Sequence, residues 1–310
     1  MGSDFSVTFL GTRGSIPVSG EAHTRVGGAT SCLVIRAGSR QFVLDAGSGL
    51  LEHSEQVMNR YAESGGPLRT YLFMTHSHLD HLIGLPYFGP MYVPDSHVHI
   101  WGPRTSRFDS FGDIIDHFIH PPFFPIPLYE MPADIEFSDI SEGDTIYFLK
   151  EYEEPLQLRP NSPRSADRRP NDNAVELQIE VQHGYNHPKS GVNHYRIEYD
   201  GRSVVYATDT EGYPRGDRRL AKFAEGADLL IHDAMYTEDE YVGMPAPTQG
   251  FGHSTVTDAA ALARRADVGR LGLFHHDPSS TDDDLDAMEQ IGLDAFSNTF
   301  LASDGLTVEV

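Results

Sequence analysis

Cysteine is almost absent from this 310-residue chain: Cys32 stands alone, so no intrachain disulfide can form. A reducing, cytoplasmic setting is therefore expected. Long apolar runs are missing too. No stretch approaches the roughly 20 consecutive apolar residues that a bilayer-spanning helix needs, so no membrane association is expected. The opening MGSDFSVTFLGT lacks a basic segment followed by an apolar core, which predicts no signal peptide. Positive charge is scarce. Lysine occurs only at 150, 189 and 222, and 23 Lys and Arg face 46 Asp and Glu, for a formal net charge of −23. Repulsion from such a surface argues against tRNA or DNA as a partner unless a local basic patch overrides it.

What is present reads as an α/β chain. Residues 5–10, 31–36 and 41–44 carry strand patterns, the last two joined by the hairpin-like 37–40. Residues 50–62 read as helix and 68–74 as a short apolar strand. A strand at 98–101 is followed by a helical stretch at 106–118. The proline-stiffened loop 120–127 excludes helix or central strand. Residues 155–173 are polar and proline-rich and read as a surface insertion. Strand patterns return at 174–182, 195–199, 203–207, 229–231 and 271–274. Helical ones cover 218–224, 257–266 with Thr257 as candidate N-cap, and 281–290 with Asp282, Asp283 and Asp284 in its first turn. With no internal repeat and no linker, one domain over 1–310 is expected, built from two mixed β-sheets flanked by helices.

Histidine is abundant, with 16 residues, and clusters. Thr75-His76-Ser77-His78-Leu79-Asp80-His81 places four potential ligands within six residues at the end of a strand. Imidazole and carboxylate together suit zinc, manganese or iron. A tight turn there can aim His76 and His78 at one cation, and Asp80 and His81 at a second about 3.5–4 Å away. Further candidates sit where other strand patterns end: His183 and His187, Asp209, and His275 and His276. Strand ends converge on one rim of a sheet, where α/β sites form.

These pieces resemble the metallo-β-lactamase-fold hydrolases, and within them the ribonuclease Z and phosphodiesterase branch. The matches are FLGTRGSIP at 9–17, LDAGSG at 44–49, THSHLDH at 75–81, NHP at 186–188, YATDTEG at 206–212, GHST at 252–255 and LFHHDP at 273–278. The resemblance implies an αββα sandwich with two divalent metal ions, zinc first and manganese or iron as alternatives, at one edge. It implies His76, His78 and His187 on the first metal, Asp80, His81 and His275 on the second, and Asp209 bridging. His183 stays as the alternative to His187, and His276 as the alternative to His275 or as its hydrogen-bonding support. Asp45 resembles the family's aspartate that orients ligands. His253 resembles the histidine that contacts substrate phosphate. His232 and Asp233 read either as ligand supports or as purely structural.

The chemistry this implies is hydrolysis by a metal-activated water, with Asp80 accepting a proton and His253 either protonating the leaving oxygen or clamping the anion. The family's transfer ribonuclease carries a long arm between its third histidine motif and the bridging aspartate. Here 21 residues separate His187 from Asp209, and they read as a hairpin. Together with the net charge, this predicts a small phosphodiester substrate such as a cyclic nucleotide. Phe123 and Phe124 of the 120–128 loop, with Tyr129 nearby, are offered as base-stacking groups, with ordinary packing or a homodimer contact as the alternative. Arg159, Arg164, Arg168 and Arg169 form a local basic cluster that reads either as a phosphate contact or as solvated surface. Two other classes remain: a hydrolase of a carboxylic ester, lactone or thioester on the same dinuclear site, and a non-catalytic metal-holding binding protein.

Overall fold

Apolar residues alternate along some strand segments, such as 175–181, and run continuously along others, such as 32–35 and 229–231, and the computed structural model of the chain shows why. It describes residues 4–159, 169–213 and 216–310. The strands in chain order are β1 (Phe5–Gly11), β2 (Cys32–Ala37), β3 (Arg40–Leu44), β4 (Leu68–Phe73), β5 (Ser96–Gly102), β6 (Asp134–Asp139), β7 (Thr145–Leu149) and β8 (Leu156–Leu158). They continue with β9 (Val175–Gly184), β10 (Val192–Tyr199), β11 (Arg202–Ala207), β12 (Leu229–Asp233), β13 (Arg270–Phe274), β14 (Thr299–Leu301) and β15 (Thr307–Glu309). Among the described residues they form one sheet in the order β15-β1-β2-β3-β4-β5-β6 and another in the order β14-β13-β12-β11-β10-β9-β7-β8. Both are mixed. Strands β1 to β3 pair antiparallel and β3 to β6 parallel. In the second sheet β9 to β11 pair antiparallel and β11 to β14 parallel.

The two sheets bury one apolar layer between them, with Phe9, Phe73, Trp101, Phe148, Tyr195 and Phe274 among its members. The outer face of the first sheet packs Val43, Leu72 and Ile100 with Leu50 and Ile115 from the helices Leu50–Ser64 and Phe111–Phe118. The outer face of the second packs Val205, Leu230 and Leu271 with Leu220, Ala259 and Leu285 from the helices Arg218–Phe223, Val256–Ala266 and Asp282–Ala295. The layers therefore run helix, sheet, sheet, helix, the expected αββα sandwich. In β12, Leu229 and Ile231 face the inner layer while Leu230 faces the helices. A strand covered on both faces has no polar side, which is why 229–231 reads as an unbroken apolar run.

Several boundaries differ from expectation. The helix expected over 106–118 begins only at Phe111, where Ser110 and Asp113 form a capping box. Residues 104–108 are released to a loop that lines the cleft described below. The helix Val256–Ala266 is capped by Thr255, not Thr257: the Thr255 side chain accepts from the Asp258 N–H, while Thr257 Oγ1 turns to the Glu238 carboxylate. Within 155–173, residues Leu156–Leu158 are an edge strand on β7. Residues 160–168, with Arg164 and Arg168, lie outside the described residues. The strands β6, β7, β14 and β15 and the short helix Glu238–Val242 were not expected. Asp134–Asp139 is an edge strand with acids at both ends, and its alternation, Ile135 and Phe137 inward, covers only a few positions.

Candidate metal centre

The ends of β3, β4, β11, β12 and β13 meet at one edge of the sandwich, and each delivers a polar side chain into it. Asp45, Asp209 and His275 follow β3, β11 and β13 in left-handed backbone, with φ of 59, 51 and 62°. Such conformations cost a non-glycine residue of order 1–3 kcal/mol and cluster where side chains must be aimed; Asp and His are among the residue types that tolerate them.

Two donor sets result. In the first, His76, His78, His187 and Asp209 bring one ligand atom each within 4.8 Å of the others. His76 Nε2 and His187 Nε2 each lie 3.5 Å from Asp209 Oδ2, and His187 Nε2 lies 2.9 Å from His78 Nδ1. In the second set, His81 Nε2 is 3.3 Å from Asp80 Oδ2 and 3.2 Å from Asp209 Oδ1. His275 Nε2 is 3.2 Å from Asp80 Oδ2, 3.1 Å from Asp209 Oδ1 and 3.3 Å from His81 Nε2. Four donors around a tetrahedral ion with bonds near 2.0–2.1 Å stand about 3.3 Å apart, and these separations match. Asp209 offers Oδ2 to one set and Oδ1 to the other.

The surrounding residues fix which nitrogen of each ring points inward. His81 Nδ1 donates to Asp45 Oδ2 at 2.9 Å. Asp45 is held in turn by the Thr75 N–H at 2.8 Å and the Tyr206 hydroxyl at 2.9 Å. Thr75 Oγ1 donates to Asp45 and lies 3.0 Å from His76 Nδ1, leaving buried His76 Nε2 without a hydrogen-bond partner. His187 Nδ1 donates to the Gly252 carbonyl at 3.1 Å. Gly252 sits at φ 94°, and a Cβ there would lie 2.5 Å from His187 Nδ1, so the glycine of GHST is required by close approach. Gly14 has the same role toward His275: a Cβ there would lie 2.4 Å from the ring. The neighbouring Ser15 N–H donates to Asp80 Oδ2 at 2.8 Å. Buried Arg13 anchors this turn through the carbonyls of Gly27, Asp277 and Ser280.

Electrostatics suit cations. Burial drives the His76 imidazole well below its ordinary pKa, with further help from His81. Burial and then His187 lower His78 to about 4, and burial lowers His187. These rings are neutral, the ligating form. At His81 burial opposes the charge, but Asp209, Asp80 and Asp45 outweigh it and raise the pKa well above the ordinary value. Burial would raise Asp80 and Asp209, yet the facing histidines hold both carboxylates well below their usual range. Two carboxylates, Asp80 and Asp209, thus sit within 4.8 Å of one another and demand positive charge. The donor types, their spacing and the orphaned His76 Nε2 all fit divalent metal.

The alternatives separate cleanly. His183 Nδ1 lies 2.9 Å from Asn193 Oδ1, outside both sets. His276 turns its Nε2 to the Ala302 carbonyl at 2.8 Å, so His275 alone of the pair faces the site. His253 stacks on His275 with ring centroids 4.9 Å apart, and its Nδ1 donates to Asp233 Oδ2 at 2.7 Å. Burial disfavours the charged ring, but Asp233 raises its pKa to about 9. His232 instead bonds the Asp233 carbonyl and stays away from the donors.

Sequence reasoning missed Glu211, the acid of the TDTEG segment. Its carboxylate accepts from the N–H groups of Gly250 and Gly252 and from the Tyr241 hydroxyl, and so sets the loop that supports His187. Also missed was the cleft of about 870 Å³ beside His78 and His187. Arg104, Arg107 and Lys189 line it together with Phe108 and Tyr185. None of these three cations makes an ion pair among the described residues, whereas Arg25, Arg40, Arg69, Arg196 and Arg219 are all paired. None of the aromatics offered from the sequence lines this cleft: Phe124 packs against Tyr87, and Phe123 and Tyr129 are exposed.

A two-sheet sandwich with paired His/Asp donor sets at one edge is the framework of a metal-binding hydrolase. A family model described as a beta-lactamase superfamily domain matches residues 40–276, and the chain belongs to that superfamily. Ribonuclease Z of Haloferax volcanii is 28% identical, over 98% of this chain and 94% of its own length. Ribonuclease Z of Natronomonas pharaonis is 29% identical, over 98% and 97%. The crystal structure of human tRNase Z, short form, superposes with a TM-score of 0.61 at 18% identity, covering 98% of this chain and 99% of that one. No helix of the described residues is long and apolar enough to cross a membrane.

One expectation is overturned here. Net charge and the short connection from His187 to Asp209 argued against tRNA as a partner, yet relatives aligned along nearly the whole chain are named ribonuclease Z. The connection is indeed a plain hairpin, β10 to β11. Net charge is a sum over the whole molecule, whereas Arg104, Arg107 and Lys189, which make no ion pair among the described residues, line the cleft beside His78 and His187.

Proposed function

We propose that this protein is a dinuclear metal-dependent phosphodiesterase acting on RNA. The observation that carries the reading is the position of Asp209, one oxygen in each of two tetrahedrally spaced donor sets, the first of which contributes His78 and His187 to the wall of a cleft lined by uncommitted cations. The relatives named ribonuclease Z support RNA as the polymer. His76, His78 and His187 would hold one ion, Asp80, His81 and His275 the other, and Asp209 both, with zinc the first choice for such ligands. Two bound divalent cations would activate water and neutralise charge developing at the phosphoryl group.

The remaining work falls to the chain. Asp80, steadied by the Ser15 N–H, would accept a proton from the attacking water. His253, kept protonated by Asp233, is placed to hold a phosphate oxygen and to pass a proton to the departing one. Arg104, Arg107 and Lys189 neutralise backbone phosphates, and Tyr185 and Phe108 offer faces on which unpaired bases stack. A nucleotide-sized phosphodiester is the second reading, favoured by a cleft volume within the range of small-molecule sites.

The test is hydrolysis by zinc- or manganese-loaded protein of an RNA with a 3′ extension, of a cyclic-nucleotide panel, of bis-p-nitrophenyl phosphate, and of lactones and thioesters. Cleavage of the RNA and of the chromogenic diester is expected. Turnover confined to cyclic nucleotides selects the second reading. Turnover of lactones or thioesters alone defeats both.

A further inference from the structure

At the opposite end of the first sheet lies a second histidine cluster that the hydrolytic site does not use. His97 and His99 are two apart on β5, so both imidazoles emerge on one face of the strand. β6 pairs alongside in parallel, setting Asp134 opposite His97 and Glu136 opposite His99. The cluster is level with the start of β4, roughly 20 Å along the strand direction from His76, which follows that strand's end.

We propose that His97, His99 and Glu136, with Glu154 as fourth donor, form an additional binding site for a transition-metal dication such as zinc or nickel. One ligand atom from each of His97, His99 and Glu136 lies within 4.8 Å of the others. His97 Nε2 is 4.0 Å from Glu136 Oε2 and 3.9 Å from Glu154 Oε2. His99 Nε2 is 3.7 Å from Glu136 Oε1 and 2.9 Å from Ser138 Oγ. These gaps exceed the tetrahedral spacing by well under about 1 Å. Glu136 and Glu154 are half-exposed and free to close them, while His99 is pinned by stacking on Trp101.

Four features separate this cluster from an ordinary surface group. His97 Nδ1 donates to Asp134 Oδ2 at 3.0 Å, the carboxylate–histidine arrangement that orients a metal-binding ring. That bond leaves His97 Nε2 buried without a hydrogen-bond partner, aimed at the two glutamates. Arg69 pairs with Oε1 of Glu154, which leaves Oε2 toward His97. Burial also keeps the His99 ring neutral, with its pKa down to about 4. Imidazole donors select zinc, nickel or copper over magnesium and calcium. An ion there would tie edge strand β6 to β5 and to the segment carrying Glu154, away from the catalytic edge.

The experiment counts metal. Native protein and the variants His97→Ala and Glu136→Gln are equilibrated with zinc, freed of excess, and measured by plasma mass spectrometry. The inference expects one equivalent fewer in each variant, with native circular dichroism and unchanged turnover of bis-p-nitrophenyl phosphate. Because the readout is a difference, it does not depend on how many ions the catalytic edge holds. Glu136→Gln is nearly isosteric at a half-exposed position and guards against misfolding of the alanine variant. Asp134→Ala should weaken binding of this extra equivalent about 10- to 100-fold. Equal zinc content in native protein and both variants overturns the site.

Discussion

Asp45 Oδ2 lies 2.9 Å from His81 Nδ1, and both side chains are fully buried. The bond turns His81 Nε2 toward Asp80, Asp209 and His275. It depends on Thr75 and Tyr206, which saturate the same carboxylate. Asp45→Ala frees the His81 ring to rotate and removes its acceptor. Zinc affinity at the Asp80/His81/His275 set should fall about 10- to 100-fold, measured by competition with a chromogenic chelator. Unchanged affinity would show that packing alone orients His81.

His253 and Asp233 are a hydrogen-bonded pair beside the donors, not part of either Asp209 set. His253→Ala should cut turnover of an alkyl phosphodiester about 10²- to 10⁴-fold while metal content stays at the native value. A substrate with a nitrophenolate leaving group needs little protonation and should suffer less. Loss of a metal equivalent in this variant would make His253 a ligand instead.

Arg104 and Arg107 occupy the loop between β5 and the helix Phe111–Phe118, on the wall of the cleft. Reversing both to glutamate should raise KM for RNA, leave kcat on bis-p-nitrophenyl phosphate near native, and reduce the slope of log K against log salt by roughly two. An unchanged salt slope would remove these arginines from the RNA path.

Asp304 links the C-terminal turn to the segment before β2. It accepts from the Ala29 N–H and from Thr12 Oγ1 at 3.0 Å each. Burial raises its pKa to about 6 from an ordinary 3.8. A carboxyl raised in the folded state contributes stability that is fully present below the unfolded value and is lost as pH rises through the folded one. Between pH 4 and 7 the native protein should therefore lose stability relative to Asp304→Asn, which has no proton to release. Urea unfolding at several pH values gives the difference, and parallel curves for the two proteins would refute the assignment.

The primary sequence alone carried the core of the site. His76, His78, Asp80 and His81 lie in one short turn, and a run of ligand types with an apolar strand before it is a local pattern that needs no folding to be seen. The strand-end positions of Asp209 and His275 were legible for a related reason: apolar runs that stop at a polar residue mark the rim of a sheet. Continuous apolar stretches such as 229–231 likewise announced strands covered on both faces.

Tertiary structure decided what depends on distance between remote residues. His187 over His183, and His275 over His276, are choices of one or four positions that turn on backbone direction at a strand end. The partnership of Asp233 with His253 spans 20 residues and has no motif. The cationic cleft draws Arg104 and Arg107 from one connection and Lys189 from another, remote in sequence. Composition reports only their sum with 46 acids, and a sum contains no positions. Screening over about 10 Å makes electrostatics local, so only the folded chain could place a positive wall beside a metal centre in a strongly acidic protein.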